Sequence, residues 1–415
     1  MDDTRPAPRA DPDAPAFPPT RAAGLDRLAA FVDRAGHHYA RGRNHDLPGH
    51  PHVSGLSPYL RHRAVTEAEV ARAVVDRHGR EGAEKFLWEL FWRTYFKGWL
   101  ERRPVIWDGH RRALARARDR LATEAGLCRA WEDACEGRTG IEPFDHWARE
   151  VAATGYLHNH ARMWFASIWM HTLRLPLALG ADFFLRHLLD GDPASNTLSW
   201  RWVAGLHTEG KVYRARARNI AQHTGGRFDP EVLGHRLARE DQMPDAAFRP
   251  HPPPAPVPAD MAWEDGCRTG LLLHDDDLDP GDLLARGLRP VSAAVLSATE
   301  GRSPFRVSGN VARFARALAA DAARRCGDRC FATAPTGDLD ALVGWARENR
   351  LEQVVAPYAP AGPVCAALDR LEERLHVPLV RPLRRWDAAA WPWCTAGYHK
   401  LRARIPQILD AALAG

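Results

Sequence analysis

The residues best suited to chemistry lie in four short segments between Tyr39 and Gly205. In Phe86-Leu-Trp-Glu-Leu-Phe-Trp-Arg-Thr-Tyr-Phe96, Glu89, Trp92 and Arg93 are spaced i, i+3 and i+4, so a helix presents them on one face. A carboxylate, an aromatic plane and a guanidinium so placed suit a pyrimidine pair beside a phosphate. Read alone, the same trio is an ordinary Glu–Arg surface pair next to a core tryptophan. Val53-Ser-Gly-Leu-Ser-Pro-Tyr-Leu60 sets Ser54 and Ser57 at a helix start, where hydroxyls and backbone N–H groups suit a pyrophosphate. By itself such a segment is more often an ordinary helix cap. Thr154-Gly-Tyr-Leu-His-Asn-His-Ala-Arg-Met163 brings imidazoles, an amide and a guanidinium together, although a histidine in a helix is usually structural. Asp190-Gly-Asp192 opens a sixteen-residue polar and aromatic segment ending at Gly205; alone, such a triplet is a turn.

A helical domain must position these groups. From residue 19 to about 240 apolar residues recur every three or four positions, as in Leu25, Leu28, Phe31 and Val32. Residues 241–262 are proline-rich and read as an extended linker. Beyond them short apolar runs (269–273, 293–297, 353–356, 377–380) alternate with amphipathic helices near 311–325, 341–348 and 364–375. The expected fold is mainly α: an all-helical domain over 19–240, then a smaller doubly wound, Rossmann-like α/β domain over 263–415, behind a disordered leader at 1–18. No GxGxxG fingerprint occurs.

The totals exclude several classes. A chain of 415 residues suits two domains, and 45% hydrophobic with 26% charged residues suits a packed core. The most apolar stretch, 163–179, is broken by His171, Arg174 and Pro176, and the amino terminus lacks an apolar signal core. No membrane association and a cytoplasmic location are expected. A net charge of +5 allows a polyanionic partner without demanding one. Seven scattered cysteines, with Cys326 and Cys330 lacking a second pair at zinc-site distance, point to neither disulfides nor a metal. The acidic run His274-Asp-Asp-Asp277 follows the first expected strand and reads as a solvated loop at the sheet edge.

Taken together and in order, the four segments resemble the photolyase/cryptochrome family. The ExxWR helix carries Glu89, Trp92 and Arg93; Gly137-Arg-Thr-Gly140 with Asp145 is similar to the family's GxTGxxxxD element. Asn159 and Met163 match the Asn and Met of cyclobutane-dimer photolyases, and 190–205 resembles the DGDxAxNxxxWxW signature nearly throughout. The resemblance covers about residues 20–240. It implies FAD held by Tyr39, Ser54, Leu56, Ser57, Arg93, Asn159, Arg162, Asp190, Asp192 and Asn196, with Arg162 paired to Asp190. It implies a lesion pocket of Glu89, Trp92, Asn159, Met163 and Trp202, and DNA contacts from Arg43, Arg93 and His160, the last replacing the family's usual Arg. Val53 and Gly55 stand where the family has Thr and Arg, so the diphosphate contact must be rearranged or weaker. Fifteen tryptophans suit a nucleobase or flavin partner, though most must be core.

The helical half precedes the α/β half, the reverse of the family's usual order, as in a permuted class of short bacterial photolyases acting on single-stranded DNA. The implied activity is deoxyribodipyrimidine photolyase: blue-light-driven splitting of cyclobutane pyrimidine dimers by an electron from reduced FAD, the protein positioning the parts. The implied partner is UV-damaged, single-stranded DNA, with the protein a monomer and no antenna chromophore called for. Trp200 matches the first station of the family's photoreduction relay, but Leu177 replaces the second Trp and Tyr156 the third; Trp164 or Trp169 offers a detour, and packing alone explains both equally well. A cryptochrome-like flavin photoreceptor without repair and a flavin-free DNA-binding protein are the alternatives.

Overall fold

The computed structural model describes residues 16–209, 211–238, 248–327, 331–332 and 335–413. The expected leader up to residue 15, positions 241–247 of the expected linker and Cys330 lie outside them. Phe17 corrects the leader's far edge: it is buried, with its ring 5.2 Å from that of Tyr156, because one large apolar side chain is enough to dock the chain start on the core. Helices follow one another from Arg21 to Arg236, the longest being Glu67–Gly82, Glu84–Glu101 and Pro104–Thr123. The first of these begins with a full capping box, Thr66 and Glu69 satisfying each other's backbone N–H. None of the described helices is long and apolar enough to cross a membrane.

The second half is a parallel sheet of five strands: β1 (Thr269–His274), β2 (Ser292–Leu296), β3 (Phe331–Ala332), β4 (Gln353–Val355) and β5 (Leu379–Val380). Their order, β3-β2-β1-β4-β5, is doubly wound, with the switch point between β1 and β4. The two-residue β3 has no apolar run long enough to announce it. Residues 248–262 form neither helix nor strand and lie along the helical half, Arg103 Nε donating to the Pro252 carbonyl at 2.9 Å and Ala255 N to that of Arg102 at 2.8 Å.

Alternation along the strands splits the sheet between two cores. Leu272, Ala294 and Val354 face a core made with Trp345, Leu368 and their neighbours. Leu271, Leu273, Val295 and Val355 face the other way, into one continuous core with Phe31, Leu56 and Phe91 of the helical half and Trp386 and Trp391 near the chain end. The Glu84–Glu101 helix is the keel of this junction. Phe91 stacks on Trp386 at 4.9 Å, Thr94 accepts from the Trp386 indole, and Glu101 receives the Tyr358 hydroxyl at 2.6 Å. Gly98 is required there: a Cβ would come within 2.5 Å of the Trp391 ring.

The acidic run is not solvated. His274 to Asp277 are all buried at the seam between the halves. Asp276 pairs with Arg61, Asp277 with Arg63 and Arg384, and Arg63 reaches on to Asp387 at 2.7 Å. The expectation failed because the neutralising arginines are distant in sequence, and charges paired this way can be kept out of water.

Candidate functional site

Asp190, Gly191 and Asp192 form the turn between the Leu177–His187 and Pro193–Val203 helices, and both carboxylates are buried. Asp192 caps the second helix, accepting from Ser195 N at 2.8 Å. Asp190 takes a bidentate pair from Arg162 at 2.8 and 3.1 Å, and Arg162 is itself anchored on the Leu157 carbonyl. A further bond to Asp190 comes from Ser57. Burial would raise both carboxyls. For Asp190 the Arg162 guanidinium outweighs it, and for Asp192 the Lys97, Arg93 and Arg61 cations do, so both lie below the usual carboxylate range. Between them, the Gly191 carbonyl accepts from Arg61 Nε at 2.8 Å. Arg61 also pairs with Asp276, so one side chain ties this turn to the α/β half.

Above Asp192 stand Arg93 and Lys97, one turn apart on the Glu84–Glu101 helix. Arg93 approaches to 3.8 Å and Lys97 to 3.6 Å, ion-pair range but short of a hydrogen bond. Nε and Nη2 of Arg93 and Nζ of Lys97 are buried without an acceptor, and so is the Ser195 hydroxyl. Glu67 Oε1, 3.8 Å from Arg93, is likewise unpaired. Buried donors in this state are costly.

The same helix presents Glu89 in an ion pair with Arg43, both partly exposed. Tyr39, buried in the short His37–Gly42 helix, lies edge-on to Phe86 at 5.1 Å; burial pushes its hydroxyl well up. Asn159 is exposed at the first position of the Asn159–Ser167 helix, with Met163 a turn behind it and half-buried. Trp202 is half-buried against Tyr213 at 5.7 Å. Asn196 is anchored by its amide N–H on the Ala181 carbonyl at 2.7 Å, leaving its oxygen available. The 53–57 loop turns through Gly55 at φ +62; Ser54 accepts from Leu56 N at 3.3 Å, and the Leu56 side chain is wholly core. His160 stacks on Trp164 at 4.3 Å and donates Nδ1–H to the Asn44 carbonyl; burial holds its pKa at about 4.

Of the expected relay, Trp200 and Trp169 are neighbours, both buried, their centroids 6.2 Å apart and planes perpendicular. Gly180 permits this approach, since a Cβ there would meet the Trp200 ring at 2.3 Å and Trp169 Nε1 at 2.8 Å. Trp169 lies in a π-helical turn, Ile168–Thr172. Tyr156 packs instead with Phe17 and His50.

Three residues of the cleft were missed. Lys97 was legible, four positions after Arg93 on the same face. Arg61 was not, because its acidic partner is 215 residues away. Nor was Tyr398, whose ring stacks on Trp92 at 4.0 Å and 17°.

Residues 86–233 match the family described as the FAD binding domain of DNA photolyase. Over 230 residues, 54% of this chain and 51% of the relative, the chain is 36% identical to a deoxyribodipyrimidine photo-lyase of Thermus thermophilus. Over 185 residues, 44% of this chain and 38% of the relative, it is 36% identical to one of Streptomyces griseus. The chain thus spans about half, or less, of the length of these curated relatives. A bacterial class III photolyase structure from Agrobacterium tumefaciens aligns with a TM-score of 0.40 and 22% identity over 56% of this chain and 54% of that one, a likeness too slight to argue from.

Proposed function

From the match of residues 86–233 to the FAD binding domain of DNA photolyase, we propose that the whole protein repairs cyclobutane pyrimidine dimers in DNA under blue light, acting as a cytoplasmic monomer on single strands. The observation that carries this reading is the coexistence of a cofactor floor and a lesion wall on shared elements. Asp190–Arg162 and Asp192 with Arg93 and Lys97, ion-paired to it but without a hydrogen-bond acceptor, form the floor; Glu89 and Trp92 rise from the helix that bears Arg93.

The residues present fit FAD. The orphaned donors of Arg93, Lys97 and Ser195 lack the acceptors that a diphosphate or a flavin ring offers, while Asp190, Asp192 and the Asn196 oxygen offer acceptors to ring or ribityl donors. Tyr39, Ser54, Ser57 and the Leu56 backbone complete the set. Bound and reduced, FAD supplies the light-driven electron. The protein's own part is placement. Glu89, released from Arg43, hydrogen-bonds the dimer; Trp92 and Trp202 wall it, Asn159 and Met163 close the pocket, and Arg43 binds a flanking phosphate. An unstacked dimer is more cheaply delivered by a single strand than by duplex.

The test is repair of a thymine cyclobutane dimer by reduced holoprotein in blue light against a dark control. Light-dependent loss of the dimer is expected, and none despite stoichiometric flavin would overturn the reading. No second chromophore is needed, so the holoprotein spectrum should be that of FAD alone. A further absorption band would point to the cleft of ≈ 480 Å³ at the carboxyl edge of the sheet, lined in part by Arg111, Arg316 and Arg370.

A further inference from the structure

The α/β half reaches the lesion wall itself. Tyr398 lies almost parallel to Trp92 at 4.0 Å, and its hydroxyl donates to the Trp88 carbonyl at 2.6 Å, which fixes the ring. Burial pushes that hydroxyl's pKa up, and the Glu89 charge adds to it, so Tyr398 stands beside the pocket's carboxylate. The chain then continues as His399–Arg402, and His399, Lys400, Arg402 and Arg404 are exposed. Arg402 covers Trp88 at 4.6 Å, and Arg404 covers Trp393 at 4.4 Å, where Trp393 is 39% exposed. Among the described residues Lys400, Arg402 and Arg404 have no carboxylate partner, unlike the seam arginines.

We propose that the 393–404 segment forms part of the nucleic-acid face, Tyr398 doubling the Trp92 wall while Lys400, Arg402 and Arg404 carry the phosphates of a single strand leaving the pocket. Unpaired cations alternating with aromatic planes, continuous with a stacking wall, match a single strand, whose unstacked bases expose their faces. A duplex would offer phosphates alone. The proposal rests on the repair reading, and deepens it by giving the α/β half a share in the substrate.

Binding of two probes to flavin-loaded protein tests it: a thymine-dimer dinucleotide, and a dimer flanked on both sides by single strand, each titrated over a range of salt. The double variant Arg402→Ala with Arg404→Ala should bind the long strand about tenfold more weakly. Its salt slope should fall by roughly 1.4, the value of two single-strand phosphate contacts, while the dinucleotide binds as to wild type. Tyr398→Ala should weaken the dinucleotide about tenfold, one stacked base being worth roughly 1–3 kcal/mol, and Tyr398→Phe should restore it. Unchanged long-strand affinity and slope in the double variant would overturn the proposal while leaving repair intact. A wild type that binds neither probe would instead remove the repair reading beneath it.

Discussion

The molecule keeps two sets of buried charges, one at the seam between its halves and one on the floor of the cleft, and they are finished to different degrees. At the seam Arg61, Arg63, Arg384, Asp276, Asp277 and Asp387 leave no buried polar atom without a partner. On the cleft floor Arg93, Lys97 and Ser195 do, though they are scarcely more exposed. Desolvation is costly in both places; these six seam groups offset it within the chain, while His274 Nδ1 and Asp275 Oδ1 beside them have no hydrogen-bond partner. The seam is therefore structure, whereas the floor is incomplete without a ligand. Arg61 joins them, holding Asp276 with one end and the Gly191 carbonyl with the other.

The sharpest way to break this contrast is at Arg63, which faces Glu67, Asp277 and Asp387. Arg63→Ala takes a cation from three buried carboxylates and leaves Asp387 without its ion pair, while Asp277 keeps Arg384; it should cost at least about 3–5 kcal/mol, read as a fall in the denaturant midpoint. A loss below about 1 kcal/mol would show that the seam is wetter than drawn. In the cleft, Glu89→Gln should leave the denaturant midpoint and flavin content unchanged. It should lower the repair rate roughly tenfold to a hundredfold, as expected for a hydrogen bond to a charged group worth about 1.5–3 kcal/mol. Equal losses of stability and repair would place Glu89 with the seam.

Acid probes the buried groups of the helical half. Burial holds His158 at about 3, and His160 and His187 at about 4. Unfolded histidines titrate near 6.5, so below that pH the unfolded chain takes up protons the folded one refuses, and stability falls as pH drops from about 6.5 toward 4. The depressed Asp190 and Asp192 act later: their contribution is present above about pH 4 and lost as pH falls through their folded values. Denaturant midpoints should thus decline before Asp190 and Asp192 titrate, the raised Asp182 at about 6 offsetting only part of the fall, and a flat profile between about pH 5 and 7 would contradict the histidine burial. The smallest effect is kinetic. Trp169→Phe should slow photoreduction of oxidised flavin without altering repair by protein reduced chemically, and an unchanged photoreduction rate would remove Trp169 from the relay.

What the chain declared in advance was what is local. Glu89, Trp92 and Arg93 lie within about one helical turn, so spacing alone put them on one face, whereas the 190–196 segment was legible through its resemblance to the family signature. Lys97 belonged to the same pattern and was readable by it. The acidic run at 274–277 was misread as solvated because Arg61, Arg63 and Arg384 approach it only through the fold. Tyr398 could not be read either, since Trp92 lies in the other half of the chain and only the docking of Trp386 and Trp391 on the Glu84–Glu101 helix brings the two rings together. Strand β3, at two residues, carries too little pattern to see.

The central claim is that the unfinished charges of the cleft floor are finished by FAD, and titration of the apoprotein with FAD tests it most directly. One FAD per chain is expected, raising the denaturant midpoint, with binding strongly weakened in Asp190→Asn, whose Arg162 partner is then left unpaired. A folded protein that takes up no FAD, or an Asp190→Asn variant that binds it as tightly as wild type, would contradict the account.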